Sequence, residues 1–151
     1  MRGGNRLVSN KKILLVEDNP RDVELTKRAL ERANVSNDLI VVEDGVEAMR
    51  FFFGENGNGG CAPGDLPVVV LLDLKLPRVD GLEVLRRLRA SEKTKLLPVV
   101  VLTSSSEEKD IIASYNLGAN SFVRKPVKFS EFADAIQQLG LYWLILNQSP
   151  T

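Results

Sequence analysis

The chain has 151 residues, 44% hydrophobic and 26% charged, enough for one domain with a real core that needs no disulfide or metal staples. Twenty basic side chains balance twenty acidic ones, so no global field points to nucleic acid or an anionic membrane, and the partner must be read from a local site. The absence of histidine excludes imidazole acid/base catalysis, His-ligated zinc and storage of a phosphoryl group on a histidine of this chain.

Residues 1–10, MRGGNRLVSN, carry two arginines with no apolar stretch behind them, and are expected to form a frayed tail, not a signal peptide. Ile13 to Val16 is the first short apolar run and ends on Glu17 and Asp18. Pro20 then stands where a helix begins, and Val23, Thr26, Ala29, Leu30 and Ala33 follow at helical spacing. Leu39 to Val42 reads as a second strand, followed by a helix with Val46, Met49, Phe52 and Phe53 on one side.

Gly54 to Pro67 is the one long loop, with five glycines and two prolines. It follows a helix, precedes a strand and lacks a Gly-Lys-Ser/Thr ending, so it reads as a connector and not as a phosphate cradle. The lone cysteine, Cys61, lies in it. It allows no intrachain disulfide, suits a reducing cytoplasm, and has no neighbour in sequence that would lower its thiol pKa.

The third run, Val68 to Leu72, ends on Asp73, and a helix carrying Leu82, Leu85 and Leu88 follows. The fourth, Val99 to Leu102, ends on Thr103 and leads to a helix with Ile111, Ile112 and Tyr115, closed by Gly118 where a left-handed residue is wanted. The fifth, Ser121 to Arg124, ends on Lys125. A last helix carries Phe129, Phe132, Ala133, Ile136 and Leu139, with Ser130 as its expected cap. It runs on into Leu141 to Leu146, which is apolar all round, far too short to span a membrane, and the mark of an interface. The domain is expected over 11–146, with 147–151 a short tail.

Five strand-then-helix units with Val/Ile/Leu-rich strands imply an α/β fold: a parallel sheet with helices on both faces. In such a sheet the ligand site lies beyond the carboxyl ends of the strands, so Glu17, Asp18, Asp73, Thr103 and Lys125 converge. Three carboxylates so close would repel one another and drive one to keep a proton. A hard divalent cation resolves the conflict, and Mg²⁺ suits a few carboxylates that leave an exchangeable oxygen site. Helix-start acidity alone could explain Glu17 and Asp18, but not the other three. With the metal placed, Asp73 is the carboxylate best situated to attack phosphorus, and Lys125 and Thr103 supply charge and a hydroxyl for the transferred oxygens.

The motifs VEDNP (16–20), LLDLKLPRVDG (71–81), VVLTSS (100–105) and SFVRKP (121–126) together resemble the receiver domain of two-component response regulators over residues 11 to 140. The resemblance implies a flavodoxin-like doubly wound sheet, (βα)5, with strand order 2-1-3-4-5. It implies that Asp73 is the phosphoacceptor, that Glu17, Asp18, Asp73 and the backbone carbonyl of Lys75 hold Mg²⁺, that Thr103 and Lys125 meet the phosphoryl group, and that the Lys125–Pro126 peptide is cis. Phe122 matches the aromatic that in receivers changes rotamer as the threonine moves, and equally reads as a core phenylalanine. Lys75 and Ser105 occupy the two positions that in the family tune dephosphorylation; neither is a general base, so hydrolysis is expected to be slow.

The long loop, the DLKLP motif and the aromatic end resemble the single-domain regulators paired with phytochrome-type sensor histidine kinases. That narrower resemblance implies a homodimer, and the apolar Leu141 to Leu146 run is expected to form it with Tyr142 and Trp143 as anchors; signalling is expected by protein contact in the cytoplasm, and the balanced charge points to neither nucleic acid nor membrane. An aspartyl-phosphate phosphatase of haloacid dehalogenase type would need an Asp where Lys75 stands. A flavodoxin-like flavin protein would not place Glu17 and Asp18 against a phosphate. A phosphorylation-independent scaffold would not need all five polar residues.

Overall fold

The computed structural model describes residues 12–33, 35, 37–55, 58–104 and 108–140. Five strands, β1 (Lys12–Val16), β2 (Asp38–Val42), β3 (Val69–Asp73), β4 (Val99–Thr103) and β5 (Ser121–Arg124), form one sheet. Its order is β2-β1-β3-β4-β5 and every neighbouring pair is parallel, as the alternating pattern and the resemblance implied. The helices are α1 (Pro20–Arg32), α2 (Gly45–Phe53), α3 (Gly81–Ala90), α4 (Glu108–Asn116) and α5 (Phe129–Gln138).

Successive side chains of a strand point to opposite faces, and the core divides accordingly. Leu14, Val16, Val70, Leu72, Val99 and Val101 face Met49 and Phe52 of α2 and Val84, Leu85 and Leu88 of α3. Ile13, Leu15, Val69, Leu71, Val100 and Leu102 face Ala29 and Leu30 of α1 and Phe132, Ala135 and Ile136 of α5. The three inner strands are buried on both faces, which is why their sequences show no alternation. β2 is different: it is an edge strand, and Leu39 to Val41 are only half-buried.

Of the helically spaced Ile111, Ile112 and Tyr115 on α4, Ile112 and Tyr115 are exposed, and Ser114 takes the buried position. None of the described residues of α4 joins either hydrophobic core cluster. Ser130 does not cap α5. That helix starts at Phe129 after Lys128, whose side chain makes no capping hydrogen bond, and this places Ser130 inside the first turn.

The Gly54 to Pro67 loop contains an isolated Glu55–Asn58 bridge and a single turn of 3-10 helix at Pro63–Asp65, consistent with a connector. Cys61 is half-buried, and burial pushes its thiol pKa up, against reactivity. The expected N-terminal tail, Ser105, and the Tyr142 and Trp143 anchors lie outside the described residues. Among the described residues no helix is long and apolar enough to cross a membrane.

Candidate functional site

The sheet register aligns the polar strand ends. Val16 pairs with Leu72 and Asp73 with Leu102, so Glu17 and Asp73 emerge at the same edge, and Thr103 lies opposite Arg124, one residue before Lys125. Glu17, Asp73 and Thr103 are essentially closed to solvent, whereas Asp18 is exposed at the mouth. The carboxylates of Glu17, Asp18 and Asp73 each offer an oxygen within 4.8 Å of the other two. Five residues separated by up to about a hundred positions therefore reach one end of the sheet because β1, β3, β4 and β5 are adjacent.

Local chemistry fixes each position. Asn19 caps α1: its Oδ1 accepts from the Arg21 N–H at 2.8 Å and the Asp22 N–H at 3.2 Å, while its own N–H donates to Glu17 Oε2 at 3.2 Å. With Pro20 at the first helical position, the chain turns at once from β1 into α1 and holds the Glu17 carboxylate at the turn. After β3, the Lys75 N–H folds back on Asp73 Oδ1 at 3.2 Å, and the Gly81 N–H donates to the Leu74 carbonyl at 3.1 Å. Arg78 in this loop has φ 64°, a conformation side chains rarely adopt, and its guanidinium is held by Asp44 Oδ2 at 2.6 Å. The Lys125 N–H is held by the Thr103 carbonyl at 2.9 Å, and the Lys125–Pro126 peptide is cis as the resemblance implied.

The Lys125 ammonium ties the site together. Its Nζ lies 3.0 Å from Glu17 Oε1, 3.0 Å from Asp22 Oδ2 and 3.3 Å from Asp73 Oδ2. Burial opposes its charge, but the hydrogen bonds to Asp22 and Glu17 and the Asp73 charge outweigh that and hold it above the ordinary lysine range. One ammonium does not neutralise this many acids. Burial, then the charge of Asp73, push the Glu17 pKa up to about 7, with Lys125 and the Asn19 N–H only partly offsetting them. Hard oxygen donors, excess negative charge and an open side fit a divalent cation among Glu17, Asp18 and Asp73. A cavity of about 490 Å³ opens beside them, lined by Asp18, Lys75, Pro77 and Asp110. The Lys75 side chain crosses it to Asp110 Oδ2 at 3.5 Å.

Phe122 is half-buried, packs against the α2–α3 side of the core, and meets Tyr115 edge to face with ring centroids 5.9 Å apart. It is thus neither a free surface ring nor a fully buried core residue.

A response regulator receiver domain model matches residues 13–137. The chain belongs to this family. As a receiver it resembles Response regulator Rcp1 of Synechocystis, with 37% identity over 134 residues, covering 89% of each chain. Among solved structures, Bacteriophytochrome response regulator RtBRR shares 50% identity with a TM-score of 0.78, covering 93% of this chain and 84% of that one. The Mn(2+)-bound form of Rcp1 superposes at 35% identity and TM-score 0.70, and the phosphorylated cyanobacterial phytochrome response regulator RcpA at 37% and 0.70; both comparisons cover 93% of this receiver and 99% of the other chain. The receiver is thus a response regulator of two-component systems, close to phytochrome-associated members, and works with a histidine kinase. The phosphatase alternative is not supported, in keeping with lysine at position 75.

Two site features escaped sequence reasoning. Asp22, in the first turn of α1, reads as an ordinary helix-start carboxylate, and only the fold reveals its contact with Lys125. Gly81 reads as a permissive residue before a helix. In the structure a side chain there would meet the Asp73 carbonyl oxygen at 2.3 Å.

Proposed function

We propose that this receiver takes a phosphoryl group from a phytochrome-type sensor histidine kinase onto Asp73 and signals by protein contact. The observation that carries the reading is the Asp73 carboxylate, buried at the end of the central strand, beside two further carboxylates and 3.3 Å from the Lys125 ammonium. A lone pair of an Asp73 oxygen forms the O–P bond while the P–N bond to the donor histidine breaks, and the imidazole keeps that electron pair. With a small acyl phosphate, the bonding pair leaves on the carboxylate product. Lys125 donates to the equatorial oxygens, and the Thr103 hydroxyl moves to the phosphorylated carboxyl.

Glu17, Asp18, Asp73 and the Lys75 carbonyl would hold Mg²⁺, which when bound supplies positive charge for the transferring oxygens. Borohydride reduces an acyl phosphate to an alcohol, so peptide mapping after incubation with acetyl phosphate and Mg²⁺ is expected to find homoserine at position 73; reduction at another carboxylate would overturn the assignment.

Mg²⁺ at a hundred times its dissociation constant is expected to stabilise the fold by about 2.7 kcal/mol, read as a rise in melting temperature reversed by chelation. Asp18 is exposed and clustered with Glu17 and Asp73, so Asp18→Asn should leave the metal-free protein at least as stable as the parent, by relieving repulsion, and abolish the rise. An equal rise in the variant would contradict the metal set.

The phosphoryl-aspartate should be slow to hydrolyse, because neither Lys75 nor Ser105 can activate water. In a time course of phosphate loss, the Lys75→Asn, Ser105→Glu double variant is expected to lose its phosphoryl group faster than the parent; slower loss would refute this. As Thr103 moves, Phe122 changes its packing against Tyr115, a steric switch since phenylalanine has no hydroxyl.

The regulator works in the cytoplasm as a homodimer through the apolar segment that follows the last helix, with Tyr142 and Trp143 as anchors, and binds neither nucleic acid nor membrane, in keeping with its zero net charge. Sedimentation should show a dimer that Trp143→Glu converts to a monomer. A monomeric parent or a dimeric variant would exclude this interface.

A further inference from the structure

Lys125 has three N–H bonds to give; Glu17 and Asp22 each accept one, and Asp73 meets the ammonium as an ion pair. The ammonium is not centred on Asp73. It sits 3.0 Å from Glu17 and from Asp22, and 3.3 Å from Asp73. Glu17 belongs to the carboxylate group suited to a cation, so its hold on the lysine competes with that role. Asp22 lies outside that group. It is fixed in place by the α1 cap, where its own N–H is held by Asn19 Oδ1. Its side chain is 24% exposed, so its charge remains solvated whether or not Lys125 stays with it.

From this geometry we propose that Asp22 is a positioning residue that parks the Lys125 ammonium toward α1, so that the ammonium must loosen its hydrogen bond to Asp22 to centre on a phosphoryl group at Asp73. The inference rests on Asp73 being the phosphoacceptor. No bond is made or broken at Asp22. It acts by holding Lys125 more tightly before transfer than during transfer, when a hydrogen bond passes to a phosphoryl oxygen. An interaction stronger in the ground state than in the transition state lowers the rate constant and leaves the half-saturation of the donor unaffected. Asp22 thus restrains phosphoryl uptake through a carboxylate that takes no part in the transfer itself.

Asp22→Asn keeps the shape and removes the charge, while Asp22→Glu keeps the charge. With saturating Mg²⁺ and varied acetyl phosphate, Asp22→Asn is expected to raise the maximal rate of uptake about five-fold, with unchanged half-saturation, as befits loss of a partly exposed charged hydrogen bond. Asp22→Glu should stay within about two-fold of the parent by the same principle. Damage to the fold would lower the rate, so a rise is a signature that a structural role does not produce. In metal-free protein, the ¹⁵N resonance of the Lys125 ammonium should move in Asp22→Asn and stay in Asp22→Glu. An unchanged or reduced rate in Asp22→Asn, or an equal rise in Asp22→Glu, would overturn the parking role while leaving Asp73 as acceptor. Failure of the parent to take up phosphate at all would overturn both.

Discussion

Replacing Lys125 by Met is expected to slow phosphoryl uptake about 10²–10³-fold, the usual loss when one pre-positioned donor to a developing oxyanion is removed from a water-shielded site. Lys125 is only 10% exposed and stands within ion-pairing reach of Glu17, Asp22 and Asp73, so water cannot readily replace it. The same change leaves Glu17 and Asp73 buried with no cation. Loss of one partner of a buried pair costs about 3–5 kcal/mol, and here the cost should be largest in metal-free protein and partly offset by Mg²⁺. Two measurements separate these effects. Chemical denaturation with and without Mg²⁺ reads stability, and the uptake rate on folded, Mg²⁺-saturated protein reads chemistry. A variant that matches the parent rate once folded would remove Lys125 from the reaction.

Gly81→Ala should damage both stability and uptake, although alanine is the better helix former by about 1 kcal/mol. A Cβ at this position would stand 2.3 Å from the Asp73 carbonyl oxygen and 2.6 Å from the Leu74 Cα. Both are backbone atoms, so no side chain can swing aside, and either the end of β3 or the first turn of α3 must move. Overpacking of this kind costs about 1–3 kcal/mol. A displacement of about 1 Å at the reacting carboxylate can cost on the order of 10²-fold in rate. Gly64→Ala is the control: a Cβ there meets nothing within 4 Å, and a change within about 0.5 kcal/mol is expected. Equal behaviour of the two variants in denaturation and uptake would show that the close approach at Gly81 has no consequence.

Much of this architecture was legible because it depends on patterns that short segments carry alone. The inner strands are buried on both faces, so Ile13 to Val16, Val68 to Leu72 and Val99 to Leu102 appear as unbroken apolar runs, within one residue of the observed strands. Pro20 and Gly118 mark a helix start and a left-handed residue where both occur. The meeting of Glu17, Asp18, Asp73 and Lys125 followed from adjacency of strand ends. What could not be read depends on how elements lean on one another. The exposure of Ile112 and Tyr115 depends on which side of α4 meets the sheet, which no property of that helix's own sequence dictates. Asp22 required the angle of α1 relative to β5, and Gly81 required the distance between the α3 start and the backbone of β3. Ser130 misled because a serine near a helix start suits a cap, whereas the turn after Val127 starts the helix earlier.

The most direct test of the central claim is intact-mass measurement after incubation with Mg²⁺ and acetyl phosphate. The parent is predicted to gain the mass of one phosphoryl group, dependent on Mg²⁺, and Asp73→Asn to gain none. A parent that gains nothing, or an Asp73→Asn variant that gains the same mass, would contradict the account.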